Sequence, residues 1–466
     1  MSAWLNSQFA LNVSDIPDQP ILNAAGTSNN ALGPVQAAFF ANAVNNSDQL
    51  RQRVAFALSE IWVVSTEAVT PAYAYPPYWR VLRDNAFLTY RDIIMGVTLN
   101  PAMGRYLSMA NNNKGNAAKG TAANENYARE LMQLFTIGLN QLNMDGSPVL
   151  DSAGNPVPTY TQAIVTSTAK ALTGWTYPTA PSAKAATNNP VYYLGQMFAV
   201  EAEHDTTSKQ VVGGITIPAG QSASQDLNSL VDAIMAQPTI APFVSKQLIQ
   251  HLVTSNPSPA YIQRVATVFE NNGSGVKGDM KSVITAILMD PEARAGDAAG
   301  ATPVVTFGHM REPILWVTDL LRGLNASVTT SNTASGAASA MGQPLFQEGS
   351  VFSYFSPMNS IGPNLLGPEF QIYTTQTAAY RANYVYGATY GGTLAGSKLD
   401  LSQFTQYSAN LGALLDEIDL VFTHKSMSAT LRQQALNAAA AAATPAHAVE
   451  AALYTVLTSG EYTVIQ

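Results

Sequence analysis

Apolar residues recur at helical spacing along most of this chain, and that pattern predicts a mainly α-helical protein. Leu50, Val54, Leu58 and Ile61 form one stripe of a helix over 47–65, with Asn46 or Ser47 at its cap. Pro76-Pro77 opens a long helix from Tyr78 to Leu99, since proline suits a first turn. Pro101 starts a shorter helix reaching Met109, and the Asn-, Gly- and Lys-rich stretch 110–123 reads as a polar, mobile loop. Further helices are expected at 125–137, 161–174, 223–236, 239–253, 258–271, 279–289 and 309–323. The last third is helical again, and its alanine run 438–443 reflects helix propensity.

Only short β elements interrupt this pattern. Turn residues between Asn143 and Asn155 suggest a hairpin near 142–157. Lys209-Gln-Val-Val and Ile215-Thr-Ile suggest a second over 209–217, closed by a two-residue Gly213-Gly214 turn. The small and polar residues of 326–342 read as a flexible linker inside one helical domain spanning 1–466. The fold expected is a large, irregular multi-helix bundle with short hairpins, without the period of a solenoid.

The stretch 124–138 is the most amphipathic. Tyr127, Ala128, Leu131, Met132, Leu134 and Phe135 fall on one side, and Glu125, Asn126, Arg129, Glu130 and Gln133 on the other. Asn124 stands at the N-cap position and Gly138 at the left-handed C-cap position. Glu125 and Arg129 are spaced to pair at i,i+4. The polar face is either solvated, as most charged faces are, or turned to a polar cavity in which Arg129 holds one carboxylate ionised and leaves the other to act.

Composition narrows the function classes. Only 12% of residues are charged, about half the usual share, so the surface is made largely of amides and hydroxyls. Such a surface is more typical of exported proteins. A net charge of −8 with scattered Lys and Arg argues against a nucleic-acid partner. The absence of cysteine removes disulfides, thiolate nucleophiles and cysteine metal sites. No apolar run approaches the ~18–20 residues that span a bilayer, and the start of the chain is no signal peptide.

Several short motifs invite a chemical reading. Gly273-Ser-Gly275-Val-Lys-Gly278 matches the dinucleotide pattern, but the segment before it is spaced as a helix, and helix–turn–helix is the better reading. Ser167-Thr-Ala-Lys170 lacks the companion motifs of a serine–lysine enzyme and reads as ordinary helix. In Glu201-Ala-Glu203-His204-Asp205 an extended backbone would line three carboxylates on one face and His204 on the other. That face could take a hard cation, or simply guard a charged edge strand; His204 and Asp205 could serve a base or ligand role. His251, His309, His424 and His447 are isolated, and Glu312 before Pro313 reads as a helix-capping residue.

Taken together, Arg51-Gln-Arg-Val-Ala-Phe-Ala-Leu-Ser, Glu125-Asn-Tyr-Ala-Arg-Glu-Leu, Tyr160-Thr-Gln, Ala171-Leu-Thr-Gly-Trp175, His204-Asp205, Met310-Arg-Glu-Pro313, Val351-Phe-Ser-Tyr-Phe and Pro368-Glu-Phe resemble, in order, the bacterial domain-of-unknown-function 1800 family. The resemblance implies an exported, mostly helical bacterial protein and, as a partner, a co-encoded exported sulfatase-like protein. It assigns no catalytic residue. Ile164 stands where the family usually has an acid, and the chain starts near Trp4-Leu5, inside the family domain, without an upstream stretch or export signal.

Two function classes follow. One is a periplasmic or extracellular binding or accessory protein acting on a surface polymer or an exported partner. The other is a hydrolase using acid–base or metal chemistry, with Glu125, Arg129, Glu130, His204 and Asp205 converging in one cleft. The residues name no cofactor or metal. Convergence requires a buried, paired Arg129 with His204 across from it, and an Arg129→Ala chain less stable than a His204→Ala one.

Overall fold

Twenty α-helices and five antiparallel strand pairs, with strands of two or three residues, make up the regular structure among the described residues. The computed structural model describes residues 1–297, 304, 306–392 and 394–465. The protein is mainly α with short hairpins, and no described helix is long and apolar enough to cross a membrane. Its contacts divide it into two compact units.

The first unit comprises Met1–Leu11, Asp18–Asn30 and Leu50–Thr302. Its centre is apolar and aromatic: Trp62 stacks on Phe135 at 4.3 Å between ring centroids, and the Tyr90 hydroxyl donates to the Phe135 carbonyl at 2.5 Å. The long helix expected from Tyr78 to Leu99 is instead two helices, Tyr75–Asn85 and Tyr90–Thr98. Thr89 and Asp92 cause the break. The Thr89 hydroxyl accepts from the Asp92 N–H, and the Asp92 carboxylate accepts from the Thr89 N–H, a capping box that starts a new helix.

Between 139 and 159 the chain forms a meander of isolated bridges, Asn140 to Pro158, Leu142 to Pro148 and Leu150 to Pro156. Lys209–Gln210 pairs with Thr216–Ile217 as expected. The Val211 N–H also donates to the Ile215 carbonyl at 2.8 Å, so the loop is the three residues Val212–Gly214 and not the two glycines alone. Gly273–Gly278 joins helices Pro259–Glu270 and Met280–Met289. Gly278 has φ +71°, and a Cβ there would lie 3.2 Å from Tyr90, so this turn needs its glycine twice over.

The second unit comprises Asn12–Pro17, Ala31–Gln49 and Pro303–Gln466. Trp316, Phe422 and Tyr462 meet in its core, with Tyr462 edge-on to both rings. The helix expected at 309–323 starts only at Pro313, because His309–Met310 pairs as a strand with Val464–Ile465. The segment 326–342, whose composition suggested a linker, carries strand Ser327–Val328 and helix Ala334–Ala340, with Ala334 and Ala338 buried. Small side chains there allow close packing. Helix Thr375–Thr389 follows, then Ala429–Ala440, which ends inside the alanine run, and Pro445–Leu457.

Candidate functional site

The helix bearing Glu125 and Arg129 begins from a fixed point. The Asn112 side chain both accepts from the Asn124 N–H, at 2.7 Å, and donates to its carbonyl, at 3.0 Å. Asn124 in turn accepts from the Asn126 N–H at 2.9 Å, but it stands one residue ahead of the N-cap position expected for it, which Glu125 occupies. Regular α-helix covers only Asn126–Glu130, and Leu131–Thr136 winds as a π-helix. The Thr136 hydroxyl reaches back to the Leu131 carbonyl at 2.6 Å, which favours the wider turn. Single π-turns occur often beside functional residues, and this one adjoins Glu130.

Arg129 pairs with Glu125 at 3.0 Å, but its side chain is 38% exposed, so the expected burial is not found. Helix Gln162–Ala171 supplies the rest of the cluster. Gln162 donates to Glu125 at 2.7 Å and accepts from Arg129 at 3.1 Å, and the Thr166 hydroxyl donates to Glu125 at 2.6 Å. The Thr166 hydrogen bond, against some desolvation and aided by Gln162 and Arg129, holds the Glu125 carboxyl below its ordinary range. Glu130 goes the other way: burial raises it, and Arg129 only partly opposes the shift. Burial also raises Tyr160, with Arg129 opposing and Glu130 adding to the shift. Glu130 Oε2 and the Tyr160 hydroxyl are buried atoms without a hydrogen-bond partner among the described residues.

His204 belongs elsewhere. It is buried, with Nδ1 2.9 Å from the Thr173 carbonyl and Nε2 3.1 Å from Asp226 Oδ2. Lys209, equally buried, reaches the same Asp226 oxygen at 2.7 Å and the Thr207 carbonyl at 2.7 Å. Asp205 is partly exposed and lies 3.9 Å from Lys209. Desolvation works against its charge, but hydrogen bonds from Thr207 and the charge of Lys209 prevail and lower its carboxyl. Glu201–Glu203 winds as a 3₁₀ turn, so the three carboxylates do not share an extended face. Glu201 instead accepts from the Ala223 N–H at 3.0 Å. No group of three or more His, Asp or Glu among the described residues is arranged to hold a metal ion.

The five expected site residues therefore form two clusters. Glu125 attaches to Gln162 and Thr166, in the first half of one helix, whereas His204 attaches to Thr173, just past its end. At ~1.5 Å per residue these attachments lie roughly 10–16 Å apart along that helix. Asp226 was missed, although a signal existed: it sits on the apolar stripe of Ala223, Leu227, Leu230 and Ile234, where an unpaired acid is not tolerated.

The second unit holds a buried polar belt built from two segments that carried the resemblance. His309 Nδ1 lies 3.3 Å from Glu369, joining the start of the Met310–Pro313 segment to Pro368-Glu-Phe. Glu312 occupies the N-cap position of helix Pro313–Gly323 without capping it. Its carboxylate accepts from Gln343 at 2.5 Å, and the Gln343 carbonyl oxygen caps the Ile314 N–H at 2.8 Å. Arg311 and Arg381 lie beside this chain, both buried.

Tyrosines mark the outer face of helix Thr375–Thr389 and its end. Tyr380, Tyr386 and Tyr390 are 42%, 57% and 38% exposed. At 100° per residue they fall, with Asn383, on one strip. Tyr386 stacks on Tyr390 at 5.1 Å, and Tyr454 meets both edge-on. Beside them is a hollow of about 420 Å³ lined by Tyr390, Ala438, Ala441, Ala442, Ala443, His447 and Ala451. The helical pattern alone carried no sign of this strip, because the helix is only weakly amphipathic.

A family model described as a protein of unknown function, DUF1800, matches residues 1–464, and the chain belongs to that family. No curated protein and no solved structure matches it.

Proposed function

We propose that this DUF1800 member is a binding protein of the cell exterior that holds a carbohydrate chain against the tyrosine strip of its second unit. The observation that carries the reading is the stacked, solvent-facing pair Tyr386–Tyr390 beside the alanine-floored hollow. Exposed aromatic faces with polar tips suit a ligand that offers C–H surfaces and hydroxyls together, as sugar rings do. Apart from Tyr390 and His447 the lining is alanine, an apolar floor suited to the C–H face of a sugar ring. A weakly charged surface supports placement outside the cytoplasm, next to such a polymer.

Affinity electrophoresis in gels containing soluble glucan or mannan tests this. The wild-type chain is expected to be retarded, and Tyr386→Ala and Tyr390→Ala to migrate freely while keeping the wild-type unfolding midpoint. Unretarded wild-type protein in both gels, with binding to an exported partner protein intact, would transfer the role to protein recognition.

A second reading has one specific observation behind it. Glu125 and Glu130 are displaced in opposite directions, the arrangement that separates a general acid from an ionised carboxylate. Hydrolysis at this face would use Glu130 as the acid, with Tyr160 beside it and Glu125 kept ionised. A panel of ester and glycoside substrates tests it: turnover lost in Glu130→Gln supports the reading, and no turnover by the wild type removes it.

A further inference from the structure

Arg381 is a deeply buried cation. It is 5% exposed, and no carboxylate pairs with it among the described residues. One of its donors is used: Nη2 donates to the Arg311 carbonyl at 3.0 Å. Nε and Nη1 have no hydrogen-bond partner among the described residues. The rings of Trp316 and Tyr373 lie 5.3 and 5.2 Å from the guanidinium carbon. Rings attract the cation through their faces but accept little from in-plane N–H groups, so they leave these two donors unanswered.

The surroundings sharpen the deficit. Arg311 is itself buried, donates to the Tyr462 carbonyl and lies 3.5 Å from Asp319. The neighbouring acids are engaged elsewhere, Glu312 with Gln343 and Glu369 with His309. Asp319 thus serves Arg311, and no carboxylate is paired with Arg381 among the described residues. An uncompensated buried charge is strongly unfavourable, and arginine is the side chain best shaped to meet an oxyanion in its plane.

We propose that Arg381 is the recognition group of an oxyanion site, in which Nε–H or Nη1–H acts with the second N–H of Nη2 on the same edge to take the oxygens of a carboxylate or phosphate that enters past Tyr373. The Tyr373 ring is 37% exposed and lies over the guanidinium, so its rotation opens the route. Burial also pushes the Arg381 guanidinium down to about 10, with the charge of Arg311 adding to the shift and Tyr373 and Tyr462 opposing it. The charge of an anion at this position would oppose that shift. The site stands apart from the carbohydrate reading, since it needs none of Tyr386, Tyr390 or the hollow.

The test is urea unfolding of the full chain in sodium phosphate or sodium acetate, with ionic strength held constant by chloride. A ligand that binds only the folded state raises the midpoint along a saturating curve. The expected result is such a curve for at least one anion: phosphate alone identifies a phosphate group as the natural ligand, acetate alone a carboxylate, and both the shared oxyanion chemistry. Arg381→Met, which replaces the buried charge with an apolar chain of similar length, is expected to fold and lose the response. Should Arg381→Met not fold, Arg381→Lys keeps the charge without the planar fork and is expected to shift the curve at least tenfold to higher concentration. A flat wild-type midpoint in both anions, or an unchanged curve in the variant that folds, overturns the proposal.

Discussion

His204 meets Asp226 at 3.1 Å in a pocket where both side chains are fully buried, and Lys209 completes the group at 2.7 Å from the same carboxylate oxygen. Both nitrogens of the His204 ring are engaged, Nδ1 with the Thr173 carbonyl and Nε2 with the Asp226 carboxylate. One carboxylate therefore answers two donors, one of them the Lys209 ammonium. His204 is thus packed into the interior, held at both ring nitrogens. Asp226→Ala leaves Lys209 without its buried counter-charge and is expected to lower stability by ~3–5 kcal/mol. His204→Ala is expected to be destabilising too, the reverse of what its place in an open cleft implied. Urea unfolding of both variants checks this, and wild-type midpoints would refute the buried network.

Arg129→Ala is expected to change stability by less than ~1 kcal/mol, because its pair with Glu125 is solvated. The same unfolding series measures it. A loss comparable to that of Asp226→Ala would mean that Arg129 is far more enclosed than its exposure indicates.

Glu348 gives the second unit a pH dependence. Burial raises its carboxyl from 4.5 to about 8, against its own backbone N–H and the Tyr354 hydroxyl, which lies 3.1 Å away. A folded value above the unfolded one means that the folded state keeps a proton the unfolded chain gives up. Its contribution is full below about 4.5 and is lost as pH rises through about 8, at no more than ~1.4 kcal/mol per pH unit. Unfolding midpoints between pH 5 and 9 are expected to fall, and Glu348→Gln to flatten that part of the slope. An identical slope in the variant counts against the assignment.

Ile164→Glu is expected to stabilise helix Gln162–Ala171 by ~0.5 kcal/mol. Thr161 caps that helix and accepts from the Ile164 N–H, so position 164 is the third residue of a capping box that isoleucine leaves incomplete. A lower thermal midpoint in Ile164→Glu would show that Ile164 is needed for packing instead.

Some of this molecule was determined by the sequence alone. Its helical class, most helix positions, the glycine turn at 273–278 and the Glu125–Arg129 pair follow from interactions within a few residues, which periodicity and capping rules describe. Local rules also contained what broke the expected Tyr78–Leu99 helix, since Thr89 and Asp92 form a box three residues apart. Tertiary structure decided the rest. Asp226 is 22 residues from His204, Glu369 is 60 from His309, and Arg381 is 70 from Arg311. No spacing rule reaches across such gaps, because which polar groups meet is set by how apolar faces pack and which charges that packing strips of water. Packing also sets apart the two carboxyls at this helix: the Thr166 hydrogen bond, with Gln162 and Arg129, holds Glu125 low, and burial raises Glu130.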